Sequence, residues 1–127
     1  MMKTQKKAPA NMKTQDTELM AAIDTLMAKA VADYTNWWGA RKDDPTVKKL
    51  IEEFRVYVEG GNKYIKVVQE SVGGSRSVHC FVVAKDTVKF KRGDILKSAT
   101  WKAPATNFKR GNVLEGDLAC IRWTGAL

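Results

Sequence analysis

The stretch DPTVKKLIEEFRVYVEGGNKYIKVVQESVGGSRSVHCFVV, residues 44–83, decides the fold, because the period of its apolar positions changes within it. Asp44 followed by Pro45 is a helix start: an acceptor side chain, then a residue whose missing amide hydrogen costs nothing at the first helical position. Val47, Leu50, Ile51 and Phe54 supply an apolar stripe at helical spacing. Beyond a turn at Glu59, Gly60, Gly61 and Asn62 the period falls to two. Tyr64, Ile65, Val67 and Val68 are β-prone, and residues 77–83 read as a second strand. Gly73, Gly74 and Ser75 between them predict a hairpin. Residues 54–58 suit either the end of the helix or a strand.

Upstream, Leu19, Ile23, Leu26, Met27, Ala30, Tyr34, Trp37 and Trp38 recur at three- and four-residue steps, which predicts an amphipathic helix. Asp16 can cap its first amides, and Gly39 suits the residue after its end. The short link at residues 40–43 predicts that the two helices are antiparallel neighbours. Downstream, residues 88–90, 95–98 and 118–123 are further strand candidates. Helices first and strands afterwards imply an α+β domain, an antiparallel helix pair packed on a mainly antiparallel β-sheet. Residues 16–127 form this single domain. Residues 1–15, MMKTQKKAPANMKTQ, have no apolar period and read as a flexible basic arm.

Charge is distributed unevenly. The 127 residues carry 22 lysines and arginines against 14 acids, a net +8. Residues 1–15 hold four lysines and no acid, residues 16–60 nine acids and six bases, and residues 61–127 twelve bases and five acids. The helical part is mildly acidic and the rest basic. The longest run without a charged residue is eight, far below the roughly 20 apolar residues of a membrane span. The first residues lack the apolar centre of a secretory leader, and two cysteines forty residues apart have no metal or redox spacing, so a reducing compartment is expected.

One motif is repeated: FKRGDIL at residues 90–96 returns as FKRGNVL at 108–114. Each copy places an aromatic residue before two cations, then a glycine, then Asp or Asn, then aliphatic residues. The expectation is a tight turn that displays Lys91 with Arg92, and Lys109 with Arg110, while Phe90, Phe108 and the aliphatic pairs anchor the core. Between the copies Trp101 stands beside Lys102. Eight bases and two acids lie between residues 85 and 110. Cations attract phosphates, and an exposed indole stacks on a base, so Lys91, Arg92, Trp101, Lys102, Lys109 and Arg110 form a candidate surface for single-stranded nucleic acid, ssDNA or RNA. The bland reading is a solvated charged face with the aromatic residues in the core.

Other chemistry is sparse. His79 and Cys80 are adjacent, but on a strand their side chains should point to opposite faces and not bond to each other. Buried structural roles fit them better than a nucleophile and its base. One histidine and two isolated cysteines imply no metal site, and neither glycine pair matches a phosphate-binding loop. Asp43 with Asp44, and Glu52 with Glu53, suit capping and a solvated face. Trp37 and Trp38 cannot both point the same way on one helix, so one of them is a candidate anchor for a protein partner.

The strings RSVHCFV at 76–82, KRGDILKSATWKAPATN at 91–107, RGNVL at 110–114 and the closing IRWTGAL resemble a group of small uncharacterised proteins of tailed bacteriophages. The resemblance covers the C-terminal half and transfers no catalytic or binding residue. It implies a viral origin and a host cytoplasmic or virion setting. Together these readings point to a non-enzymatic nucleic-acid-binding module without cofactor. The alternative is a protein-binding factor, a host-enzyme inhibitor or a small virion component, that uses Trp37 or Trp38 and the cationic face against an acidic host or phage protein.

Overall fold

A computed structural model of the chain describes residues 16–127; the basic arm expected at 1–15 lies outside them. Helix α1 runs Thr17–Trp38, with Asp16 as its cap: the Asp16 carboxylate accepts the Leu19 amide at 3.0 Å. A 3-10 turn, Gly39–Asp43, leads to α2, Pro45–Glu53, whose cap Asp44 accepts the amides of Thr46 and Val47. The ambiguity at residues 54–58 resolves as strand. Phe54 leaves helical geometry, and β1, Arg55–Glu59, starts directly after it.

Five strands make one antiparallel sheet in chain order: β1, β2 (Tyr64–Glu70), β3 (Arg76–Val83), β4 (Asp94–Leu96) and β5 (Gly111–Asn112). β6 (Ile121–Arg122) and β7 (Gly125–Ala126) form a separate small hairpin with Trp123 and Thr124 at its tip. The domain is α+β, as the order of the apolar periods requires.

Later strands are shorter than the sequence suggests. Residues 95–98 and 118–123 contribute only Asp94–Leu96 and Ile121–Arg122 to ladders, and 88–90 form no strand. There the Thr87 hydroxyl accepts the Phe90 amide at 2.9 Å, a turn that buries Phe90 and leaves Val88 fully exposed. A local side-chain bond has displaced the ladder that β propensity favours.

Strand alternation divides the core. One sheet face, with Val56, Val58, Ile65, Val67, Cys80, Val82 and Ile95, meets Leu19, Ile23, Leu26, Met27 and Ala30 of α1. The opposite face carries a smaller cluster of Phe81, Val83, Phe90 and Leu96, with Tyr64 and Val78 beside it. Among the described residues, no helix joins the cluster on this outer face. The loop of residues 97–110, which links β4 to β5, runs past it.

Candidate functional site

The outer face is where most of the proposed site residues must be judged. Cross-strand register sets Glu59 opposite Lys66, Lys66 opposite Phe81 and Phe81 opposite Leu96, one row across four strands. Arg76 pairs with Glu70 farther along the same face. Above these residues the 97–110 loop closes on itself: the Ala99 and Thr100 amides both donate to the Ala103 carbonyl at 3.0 Å, and Ser98 bridges Pro104. Trp101 and Lys102 stand at the tip of that excursion.

Trp101 leans back onto the sheet. The Lys66 ammonium lies 4.3 Å from the centroid of its ring and the Arg76 guanidinium 5.2 Å. Both cations rise from the sheet, so the sheet side of the indole is occupied by cation–π contacts. Trp101 as a whole keeps 38% exposure. Glu59 lies 3.7 Å from both Lys66 and Arg76, and Arg76 also donates to the Tyr57 hydroxyl at 3.0 Å, so the platform is braced. Sequence reasoning missed Lys66 and Arg76. Their signal was present only as polar positions alternating with apolar ones on β2 and β3, and their meeting with Trp101 depends on register and a long loop.

The two copies of the repeat pair with each other. Asp94 faces Asn112, and these are equivalent positions of the motif, so the copies run antiparallel about a local dyad. Asn112 donates to Asp94 at 2.9 Å. The buried Asp94 carboxylate also accepts the Lys91 amide at 2.9 Å and lies 3.8 Å from the Lys109 ammonium. Asp94 thus meets the backbone of Lys91 and the side chain of Lys109. Lys91 is exposed and, among the described residues, has no carboxylate within ion-pair distance; Lys102 is the same.

The arginines depart from the displayed-cation expectation. Arg92 folds back to the start of α1, donating to Asp16 at 2.5 and 2.7 Å and to Glu18 at 2.9 Å. Its charge is taken up inside the molecule, and its guanidinium holds the Asp16 carboxyl below the usual carboxylate range. Arg110 lies over the Phe108 ring at 4.1 Å. Phe108 itself is 54% exposed and anchors nothing in the core, unlike Phe90. The difference follows from context: Phe90 lies beside Phe81 and Leu96, whereas Phe108 belongs to neither buried cluster and stands in the loop before the last strand of the sheet.

His79 and Cys80 also differ from expectation. The β2–β3 register shifts between Val67, which faces Cys80, and Val68, which faces Val78, so His79 is the extra residue of a β-bulge. The bulge turns the imidazole toward the thiol, and His79 Nδ1 lies 3.3 Å from Cys80 Sγ. His79 Nε2 lies 2.6 Å from the Arg122 carbonyl. A carbonyl only accepts, so Nε2 carries the hydrogen and Nδ1 accepts the thiol hydrogen. Burial pushes the Cys80 thiol well above its usual range and lowers the basicity of His79, opposed by the bond to Arg122. Cys80 is fully buried, so no substrate reaches its sulfur. The pair is a structural tie between β3 and β6.

Trp37 and Trp38 differ in exposure, although their rings touch edge to face with centroids 4.9 Å apart. Trp38 packs edge-on against Tyr34, while Trp37 is 61% exposed. Among the described residues no cluster of histidine, cysteine and carboxylates could hold a metal, and no helix is long and apolar enough to cross a membrane.

Comparison with protein families matches residues 2–125 to the model described as "Family of unknown function (DUF7717)", and the chain belongs to that family. No curated protein and no solved structure matches it.

Proposed function

We propose that this protein binds single-stranded nucleic acid, with little sequence preference and without catalysis, through the outer sheet face. The observation that carries the reading is Trp101: an indole held by cation–π contacts with Lys66 and Arg76 that still keeps 38% exposure as a residue, with Lys102 next to it in the chain. A base stacking on its exposed part is worth about 1–3 kcal/mol, and stacking tolerates any base. Lys102, Lys91, Lys109 and Arg110 supply phosphate contacts around it, while Arg92 drops out of the set because two carboxylates already hold it. Regular spacing of about 4.8 Å between strands sets Lys66 on β2 about 14 Å from β5, a span of two or three nucleotides of backbone. The setting implied by the phage resemblance, host cytoplasm or virion, belongs to the same proposal.

The test is fluorescence anisotropy of a labelled single-stranded oligonucleotide over a salt series. Binding is expected to weaken steeply with salt, and Trp101→Ala is expected to cost about 1–3 kcal/mol at fixed salt. The Lys91→Ala/Lys102→Ala/Lys109→Ala variant should flatten the logarithmic salt slope by about two units if each lysine meets a phosphate. Absence of binding in dilute buffer overturns the reading. So does recovery of one stoichiometric acidic protein from cells that survives nuclease treatment while the oligonucleotide is ignored.

A further inference from the structure

A second concave site lies away from the outer face, between the C-terminal turns of α1 and the tip of the β6–β7 hairpin. Asp33, Asn36 and Trp37 occupy one helical face at three- and four-residue spacing, and Arg122, Trp123 and Thr124 face them across a groove of about 470 Å³. That volume falls within the range of small-molecule clefts. The two indoles, with centroids 5.4 Å apart and planes inclined at 57°, form an angled corner rather than a flat slot. Trp123 is fixed from below, where it meets Tyr34 edge-on at 5.0 Å and its amide donates to Asp33 Oδ2 at 2.8 Å. Trp37 leaves most of its surface to solvent.

The polar groups of the groove are of mixed kind. Asp33 has a second carboxylate oxygen beyond the one that holds the Trp123 amide. Arg122 uses Nη1 on the carbonyls of Ala119 and Ile121 and has further N–H donors. Asn36 contributes a donor and an acceptor in one plane, and Thr124 a hydroxyl. Asp33 and Arg122 are not paired with each other within 4 Å, so both heads remain available, and their charges cancel across the site. A carboxylate in the lining repels phosphate, and an arginine repels an ammonium ligand. Alternating donors and acceptors around an apolar ring face match a ligand that is uncharged, rich in hydroxyls and apolar on one face.

We propose that this groove binds a neutral saccharide, with a sugar ring laid on Trp37 and its hydroxyls bonded by Asp33, Asn36, Arg122 and Thr124. The inference rests on nothing in the nucleic-acid reading, since it shares no residue with the outer face. Trp37 supplies the ring platform and Asn36 orients the hydroxyls. Trp123 closes the end of the groove.

Indole N–H signals in an NMR spectrum of the labelled full chain separate the four tryptophans and test this directly. The probes are neutral di- and trisaccharides of glucose, N-acetylglucosamine, mannose and galactose, titrated to about 10 mM, the regime of weak sites. The expected result is that at least one of them shifts Trp37 and Trp123 and leaves Trp101 in place. Trp37→Ala should then weaken binding by about tenfold, the scale of one aromatic contact. Asn36→Ala, an exposed position whose carbonyl, kept in the variant, accepts the capping Gly39 amide, should weaken it while the other indole signals stay put, which separates loss of the site from loss of the fold. The proposal is overturned if no saccharide moves Trp37 or Trp123. It is equally overturned if a nucleoside monophosphate moves them as strongly as the best saccharide.

Discussion

His79 shows how one inserted residue changes chemistry. Because the bulge buries the imidazole as a neutral ring, its folded-state proton affinity lies below the ordinary value of 6.5. Below that pH the unfolded chain takes up a proton that the folded chain refuses, so stability from this group is complete above the ordinary value and declines as pH falls through it. The slope reaches at most about 1.4 kcal/mol per pH unit for one proton. Chemical denaturation at a series of pH values from about 7.5 to 5.5 should show this loss, and His79→Gln, although less stable throughout, should show a flatter profile. A slope unchanged in the variant would assign the effect to another group. Gly111 is a second residue on which the packing depends. A Cβ there would lie 2.4 Å from the Asp117 carbonyl oxygen, so Gly111→Ala should lower stability by about 1–3 kcal/mol in the same assay.

At the scale of elements, the start of α1 and the first copy of the repeat are one device. Asp16 both caps the helix and binds Arg92, and Glu18 in the first turn binds Arg92 from the other side. Arg92→Ala should therefore lower the melting midpoint, by an amount equivalent to about 1 kcal/mol for a largely exposed ion pair, and leave oligonucleotide affinity and its salt slope unchanged. Asp16→Ala should cost more, because it removes the cap as well. An Arg92→Ala variant with normal stability and weakened binding would return that residue to the interface. The elements most legible in the sequence are those governed by local rules: the caps Asp16 and Asp44, the stripe of α1, and the period-two strands β2 and β3. The bulge at His79 was not legible, because it exists only in the register between two strands. Trp101 was readable as a candidate stacking residue, yet its cation partners Lys66 and Arg76 lie about 25 to 35 residues away in the chain and meet it only in the folded sheet.

Across the whole molecule, the two faces of the sheet have different tasks. One is sealed by α1 and carries the main core, and the other keeps a small apolar cluster with cations and a partly exposed indole around it. A salt series on the native protein is expected to leave unfolding stability nearly flat while oligonucleotide binding collapses, since burial resists screening and phosphate contacts do not. The pairing of the two repeat copies bears on how molecules meet one another. A segment whose neighbour in the sheet is close to its own duplicate is self-complementary, and the same segment of another chain presents the same pattern of donors and acceptors. The single polar difference between the copies, Asp94 against Asn112, discriminates: two first copies side by side would press carboxylate against carboxylate. Asp94→Asn removes that veto, and light scattering should show more reversible self-association in the variant than in the parent chain.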